Sequence, residues 1–219
     1  MEKEKIILFD LDGTLIDSTD AILASFKSSF LDNKFEFEKD DEEIKKLIGY
    51  PLDVMFTNLG VDESKKWQFV DSYKENYRKI SVEQTYLLEK AIEAVDLAAS
   101  FARVSVVTTK TRKYTTPLLE NLNINHHFEI VTGREDVNNP KPHHEPITKT
   151  LSLMNYNMKN HEAWMIGDTK LDLLSANDAG INSVGVLCGY SNKDELSKYT
   201  QNIHINAYNA VEFIKNSVL

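Results

Sequence analysis

The sequence predicts an α/β fold: a central parallel β-sheet, interrupted after its first strand by an all-helical segment. Three observations lead there. Five short apolar runs, IILFD (6–10), VSVVTT (104–109), FEIVTG (128–133), AWMIGD (163–168) and NSVGVL (182–187), are rich in Val and Ile and apolar on consecutive residues. Apolarity without alternation marks strands buried on both faces, as in parallel sheets. Helical patterns lie between the runs, and residues 17–87 show helical spacing alone. The chain therefore divides into a core, 1–16 with 88–219, and a small helical domain, 17–87.

Each element has its own signal. The first run drives straight into Asp10, with a second carboxylate at Asp12. In the insertion, Ala21, Ile22, Phe26 and Phe30 recur at helical spacing, followed by Ile44, Leu47 and Ile48, then by Val54, Met55 and Leu59. A fourth set, Trp67, Val70, Tyr73 and Tyr77, follows; its aromatics are expected to pack within the helical domain, not to stack on a substrate. No strand is expected in this block. Residues 112–122 and 170–179 resume the helical pattern in the core, and Gly180 suits a helix stop.

Bulk properties narrow the function classes. With 219 residues, 42% of them hydrophobic and 27% charged, the chain can bury a substantial core. A formal charge of −9 argues against nucleic acid or an anionic membrane as partner. The lone Cys188 allows no internal disulfide, and no window reaches the roughly 18 apolar residues of a membrane span, so a cytoplasmic protein is expected.

The ends of the apolar runs carry the chemistry, because ligand sites in parallel α/β sheets form beyond the carboxyl ends of strands. Side chains two apart on a strand point the same way, so Asp10 and Asp12 would repel unless a cation such as Mg²⁺ lies between them. Taken alone, though, a DxDG segment is more often a turn or capping aspartate. Asp168, at the end of AWMIGD, is followed one helical turn later by Asp172; the pair could face one site or simply cap and charge a helix start. Thr108 and Thr109 could cradle an oxyanion or merely cap a helix. Lys141, between Pro140 and Pro142, sits in a restricted loop, which suits a placed cation but proves none. The adjacent pairs His126–His127 and His143–His144 read as ordinary loop residues.

Order and spacing join these signals. DLDGTLIDS (10–18), VVTTK (106–110), KP (141–142) and GDTKLDLLSANDAG (167–180) together resemble the haloacid dehalogenase superfamily, and GVLCGY (185–190) fits its phosphoglycolate-phosphatase-like branch. The resemblance implies a Rossmann-like core with a helical cap inserted after the first strand. It implies that Asp10 is the nucleophile and Asp12 the general acid and base, that Thr108, Thr109 and Lys141 bind phosphate, and that Mg²⁺ is held by Asp10, Asp168 and the Asp12 carbonyl, with Asp172 in support. The activity implied is Mg²⁺-dependent hydrolysis of a small phosphorylated metabolite, phosphoglycolate-like, by a monomer or homodimer. The alternatives are a phosphomutase of the β-phosphoglucomutase type, which Thr14 disfavours, and a non-enzymatic Mg²⁺-binding regulator. The branch usually carries Asn at position 109, Pro at 144 and a Pro-Gly pair near 87–90. The loop Leu47–Leu52 is expected to contribute to substrate choice.

Overall fold

The computed structural model describes residues 4–217. In chain order the elements are β1 (Glu4–Phe9), β2 (Ile16–Asp17), α1 (Thr19–Asp32), α2 (Asp41–Lys45), α3 (Leu52–Asn58), α4 (Lys66–Ile80) and β3 (Tyr86–Leu87). There follow α5 (Ala91–Ala99), β4 (Ala102–Val107), α6 (Arg112–Asn121), β5 (Ile130–Thr132), α7 (Glu145–Leu153), β6 (His161–Gly167), α8 (Lys170–Asp178), β7 (Asn182–Val186), α9 (Lys193–Leu196), β8 (Ile203–His204) and α10 (Ala207–Asn216).

The large sheet has six strands in the order β5-β4-β1-β6-β7-β8, and every neighbouring pair is parallel. From β1 the chain builds outward to β4 and β5, then returns to the other side of β1 for β6, β7 and β8. That reversal opens a crevice beyond the carboxyl ends of β1, β4 and β6, where ligands bind in open sheets of this kind. Ile7 and Phe9 of β1 face a core shared with α5, α6 and α10. Ile6 and Leu8 face the opposite core, with Ile147 and Leu151 of α7 and Ala176 of α8. Period-two alternation thus buries both faces of one strand, which is why the run shows no polar residue. At the foot of the sheet the buried Lys5 ammonium donates to the Ile214 carbonyl at 2.7 Å, tying β1 to α10.

The helices α1–α4 share a separate cluster of buried side chains. Phe26 lies at its centre, 4.6 Å from Phe56 and 4.9 Å from Tyr73 between ring centroids. Two expectations need correction. The 17–87 stretch is not free of strand: β2 and β3 pair antiparallel, Ile16 with Leu87 and Asp17 with Tyr86, where the chain leaves and re-enters the core. Two residues per strand are too few for any periodicity to register. Trp67 does not join the packed aromatics; it is 55% exposed, while Tyr73 and Tyr77 are buried as expected. The sixth strand of the main sheet, β8, also escaped the sequence, again because an edge strand of two residues needs no apolar run. Gly180 stops α8 as expected: it takes φ +69, and Ile181 N–H reaches back to the Ala176 carbonyl at 3.1 Å. Where the look-alike branch has Pro-Gly, Lys90 occupies the left-handed region at φ +60 and opens α5.

Candidate active site

Asp10 stands one residue past β1, in line with the strand, its N–H bonded to the Ile166 carbonyl of β6 at 2.9 Å. Beyond it the chain coils tightly. Gly13 takes φ +81, and a Cβ there would come within 2.4 Å of an Asp168 carboxylate oxygen. The glycine is thus required twice, by its backbone angle and by the close approach of the acid.

The restricted loop after β5 delivers Lys141 into the same place. Its ammonium is almost fully buried and uses its three protons on Asp10 Oδ1 at 2.7 Å, Asp172 Oδ1 at 2.5 Å and the Val107 carbonyl at 3.0 Å. Burial works against its charge, yet Asp10 and Asp172 outweigh that and hold its pKa above the ordinary lysine value. Asp168 follows β6 directly. It accepts the Thr14 hydroxyl at 3.1 Å on Oδ1 and the Tyr190 N–H at 2.8 Å on Oδ2. Asp172 is the third residue of α8, and both local readings of it hold. Its Oδ2 closes a capping box with Thr169, accepting N–H at 3.1 Å and hydroxyl at 2.7 Å, while its Oδ1 turns to Lys141.

Among the described residues, Asp10, Asp168 and Asp172 form a buried group whose nearest carboxylate oxygens all lie within 4.8 Å of one another. Three acids face one lysine. Burial, with Asp172 beside it, pushes the Asp10 carboxyl up to about 7, and burial with Asp10 and Asp172 raises Asp168 well above the carboxylate range. Lys141 balances one negative charge, and the two left over match a divalent cation. An all-oxygen donor set suits a hard ion such as Mg²⁺. The donors present therefore fit the metal that the sequence resemblance implies.

Asp12 lies to one side of this group. It accepts the Ser18 hydroxyl and pairs with the Lys110 ammonium at 3.3 Å. Lys110 also donates to the Tyr77 hydroxyl at 2.8 Å and sits 4.4 Å from the Tyr77 ring centroid, joining the loop after β4 to α4. Burial opposes its charge, but Asp12 and Tyr77 raise its pKa overall. Thr108 is buried at the end of β4; its N–H is bound to the Thr132 carbonyl at 3.0 Å and its oxygen accepts Lys110 N–H at 3.1 Å. Thr109 is half-buried and lines a cavity of about 300 Å³ between this loop and the helices, together with Asp12 and Lys110.

The structure thus brings Asp10, Lys141, Asp168 and Asp172 into direct or near contact and sets Asp12, Thr108 and Thr109 beside them. Residues 48–52 of the expected specificity loop stand on the cavity wall. Sequence reasoning gave no role to Lys110, Tyr77 or Tyr190. Lys110 sat inside the quoted VVTTK motif, where a cation after two threonines was the available signal. Tyr190 works through its backbone, which no residue type announces. The four histidines take no part in the cluster, and burial with Asp168 pushes the Cys188 thiol up to about 11, as an inert thiol requires.

The haloacid dehalogenase-like hydrolase family model matches residues 7–186. Pyrophosphatase PpaX of Bacillus pumilus is 33% identical over 198 residues, covering 88% of each chain. The Bacillus cereus protein of the same name is 33% identical over 181 residues, covering 82% of each. A haloacid dehalogenase-like family hydrolase from Streptococcus pneumoniae superposes with a TM-score of 0.85 at 25% identity, covering 96% of this chain and 98% of that one. With the buried acids and lysine gathered at the switch point of its sheet, the chain belongs to the haloacid dehalogenase-like hydrolase family, as an enzyme of the phosphatase type.

Proposed function

We propose that the chain hydrolyses a small phosphorylated metabolite, of the kind phosphoglycolate represents, with Mg²⁺ and through an aspartyl-phosphate on Asp10. The observation that carries this reading is Asp10 itself, buried against Lys141 at 2.7 Å and within reach of two further buried acids. Asp10, Asp168 and the Asp12 carbonyl would hold the metal, with Asp172 supporting from its hydrogen-bonded position. When bound, Mg²⁺ supplies positive charge against the phosphoryl oxygens and the crowded carboxylates.

The residues divide the remaining work. An Asp10 oxygen forms the new bond to phosphorus, and the bond from phosphorus to the leaving oxygen breaks. Asp12 passes a proton to that oxygen, then takes one from the water that attacks the aspartyl-phosphate. Lys141 orients Asp10 and offsets part of its charge, and the Thr108 hydroxyl and Thr109 N–H hold phosphate oxygens. Phosphoryl transfer relies on positioning and charge neutralisation, which this arrangement offers. The helical residues 17–87 act as a cap over the site. This chain should cleave p-nitrophenyl phosphate with Mg²⁺, stop on addition of EDTA and recover when Mg²⁺ is restored in excess. Turnover that survives both EDTA and Asp10→Asn would remove the reading. Pyrophosphate, which the named relatives suggest, belongs in the same substrate panel.

A further inference from the structure

Asp12 is held by one of its two carboxyl oxygens. The Ser18 hydroxyl donates to Oδ1, and the Lys110 ammonium lies 3.3 Å from the same atom. Among the described residues, Oδ2 accepts no hydrogen bond. In a carboxylic acid one oxygen accepts and the other carries the proton. A proton on Oδ1 would face a cation and a hydroxyl donor. The two donors therefore make Oδ1 the acceptor and leave the proton to Oδ2.

Lys110 is itself fixed at both ends. Its N–H donates to the Thr108 hydroxyl at 3.1 Å, and its carbonyl accepts the Arg134 N–H at 3.1 Å. Gly133 permits this close packing: a Cβ there would come within 2.9 Å of the Lys110 carbonyl oxygen and 2.3 Å of the Arg112 nitrogen. At the tip, the ammonium donates to the Tyr77 hydroxyl at 2.8 Å and lies 4.4 Å from that ring's centroid. A lysine pinned at its backbone and at its tip has little rotamer freedom left to lose. It can hold a neighbour in place at small entropic cost.

We infer that Lys110 is a positioning residue for Asp12: with Ser18 it fixes Oδ1, so that Oδ2 meets the oxygens that gain and lose the proton. This inference rests on the phosphatase reading above and adds to it a residue that acts through Asp12. In the first step the Asp10–phosphorus bond forms, and the bond from phosphorus to the leaving oxygen breaks with its electron pair going to oxygen. That oxygen takes the Oδ2 proton. In the second step the water oxygen bonds to phosphorus, and the Asp10–phosphorus bond breaks with its electron pair returning to the Asp10 carboxylate. A water proton then passes to Oδ2, which restores the acid.

The test compares phenyl phosphate with p-nitrophenyl phosphate, which share a ring but differ in how much the leaving oxygen needs a proton. Nitrophenolate departs readily without one, and phenolate does not. With Mg²⁺ present, Lys110→Met should lower kcat/KM about 10- to 100-fold more for phenyl phosphate than for p-nitrophenyl phosphate, a share of what general acid catalysis supplies. Lys110→Arg, whose cation still pairs with a carboxylate and stacks on an aromatic ring, should hold the ratio of the two esters near that of the unaltered protein. Ser18→Ala removes the other donor on Oδ1 without removing a charge, and it should move the ratio in the same direction as Lys110→Met. It carries the test if Lys110→Met does not fold. Equal losses on both esters in Lys110→Met, or an unchanged ratio in Ser18→Ala where Lys110→Met does not fold, overturn this inference and leave the phosphatase reading standing. Unaltered protein that cleaves neither ester overturns the phosphatase reading and this inference with it.

Discussion

Asp10 and Lys141 show how a buried charge becomes usable. Each alone would be costly in the interior, and together they leave an acid-rich cluster with one cation among three carboxylates. Asp10→Asn keeps the shape but removes the proposed nucleophile, so kcat should fall by on the order of 10³-fold or more while circular dichroism stays unchanged. Lys141→Met strands Asp10 and Asp172 without their partner. We expect it to cost about 3 kcal/mol in urea unfolding, near the lower end for breaking a buried pair, because Asp10 can protonate in response. Gly189 is a less obvious dependency. A Cβ there would meet an Asp168 oxygen at 2.0 Å and the Gly13 carbonyl at 2.5 Å, so Gly189→Ala must push the carboxylate aside. The Mg²⁺ concentration for half-maximal activity should rise about 10- to 100-fold, as when a ligand's support is disturbed. An unchanged Mg²⁺ requirement would show that Asp168 does not hold the ion.

At the scale of elements, the contact between α4 and the loop after β4 stands out. Lys110 bridges Asp12 in the sheet's crevice and the Tyr77 hydroxyl on α4, so one side chain touches both the proposed general acid and the helical segment. Tyr77→Phe removes one acceptor from this bridge and should cost about 1 kcal/mol of stability. It should raise KM several-fold with a smaller change in kcat, because Asp12 and Lys110 remain paired. Equal falls in kcat and kcat/KM would instead place Tyr77 in the chemical step.

At the scale of the whole molecule, the acid cluster couples stability to pH and metal. A carboxyl held near 7 in the folded chain, against roughly 3.9 unfolded, binds a proton that the unfolded chain has already released between those values. Metal-free protein should therefore lose stability as pH rises from about 4 to about 7, and the loss should be complete above that. The cause is burial of the carboxyl, with repulsion from Asp172, and on the proposed reading Mg²⁺ offsets both, so the thermal shift on adding Mg²⁺ should be larger at pH 8 than at pH 5. Equal shifts at both pH values would mean the ion binds elsewhere.

Much of this was legible in the chain. The runs ending at Asp10, Thr109 and Asp168 announced both a buried parallel sheet and the acids at its ends, because burial on two faces forces continuous apolarity and ligand chemistry gathers where strands stop. Motif order from Asp10 to Asp172 identified the family. Two-residue strands such as β2, β3 and β8 left no trace, since a pattern needs more residues than they have. The partnership of Lys110 with Tyr77 was also invisible, for 33 residues, with β3, α5 and β4 among them, separate the two.

The sequence by itself determined the fold class, the run of helices after the first strand and the acids, lysine and threonines that the site brings together. All of these depend on local periodicity or on residue types at fixed spacing. The tertiary structure alone decided that Asp10 and Asp172 share one lysine beside Asp168, that Gly13 and Gly189 press against Asp168, and that a cavity lined by the helices adjoins Asp12. Those properties arise from contacts between distant segments, and distance across space is what a linear pattern does not encode.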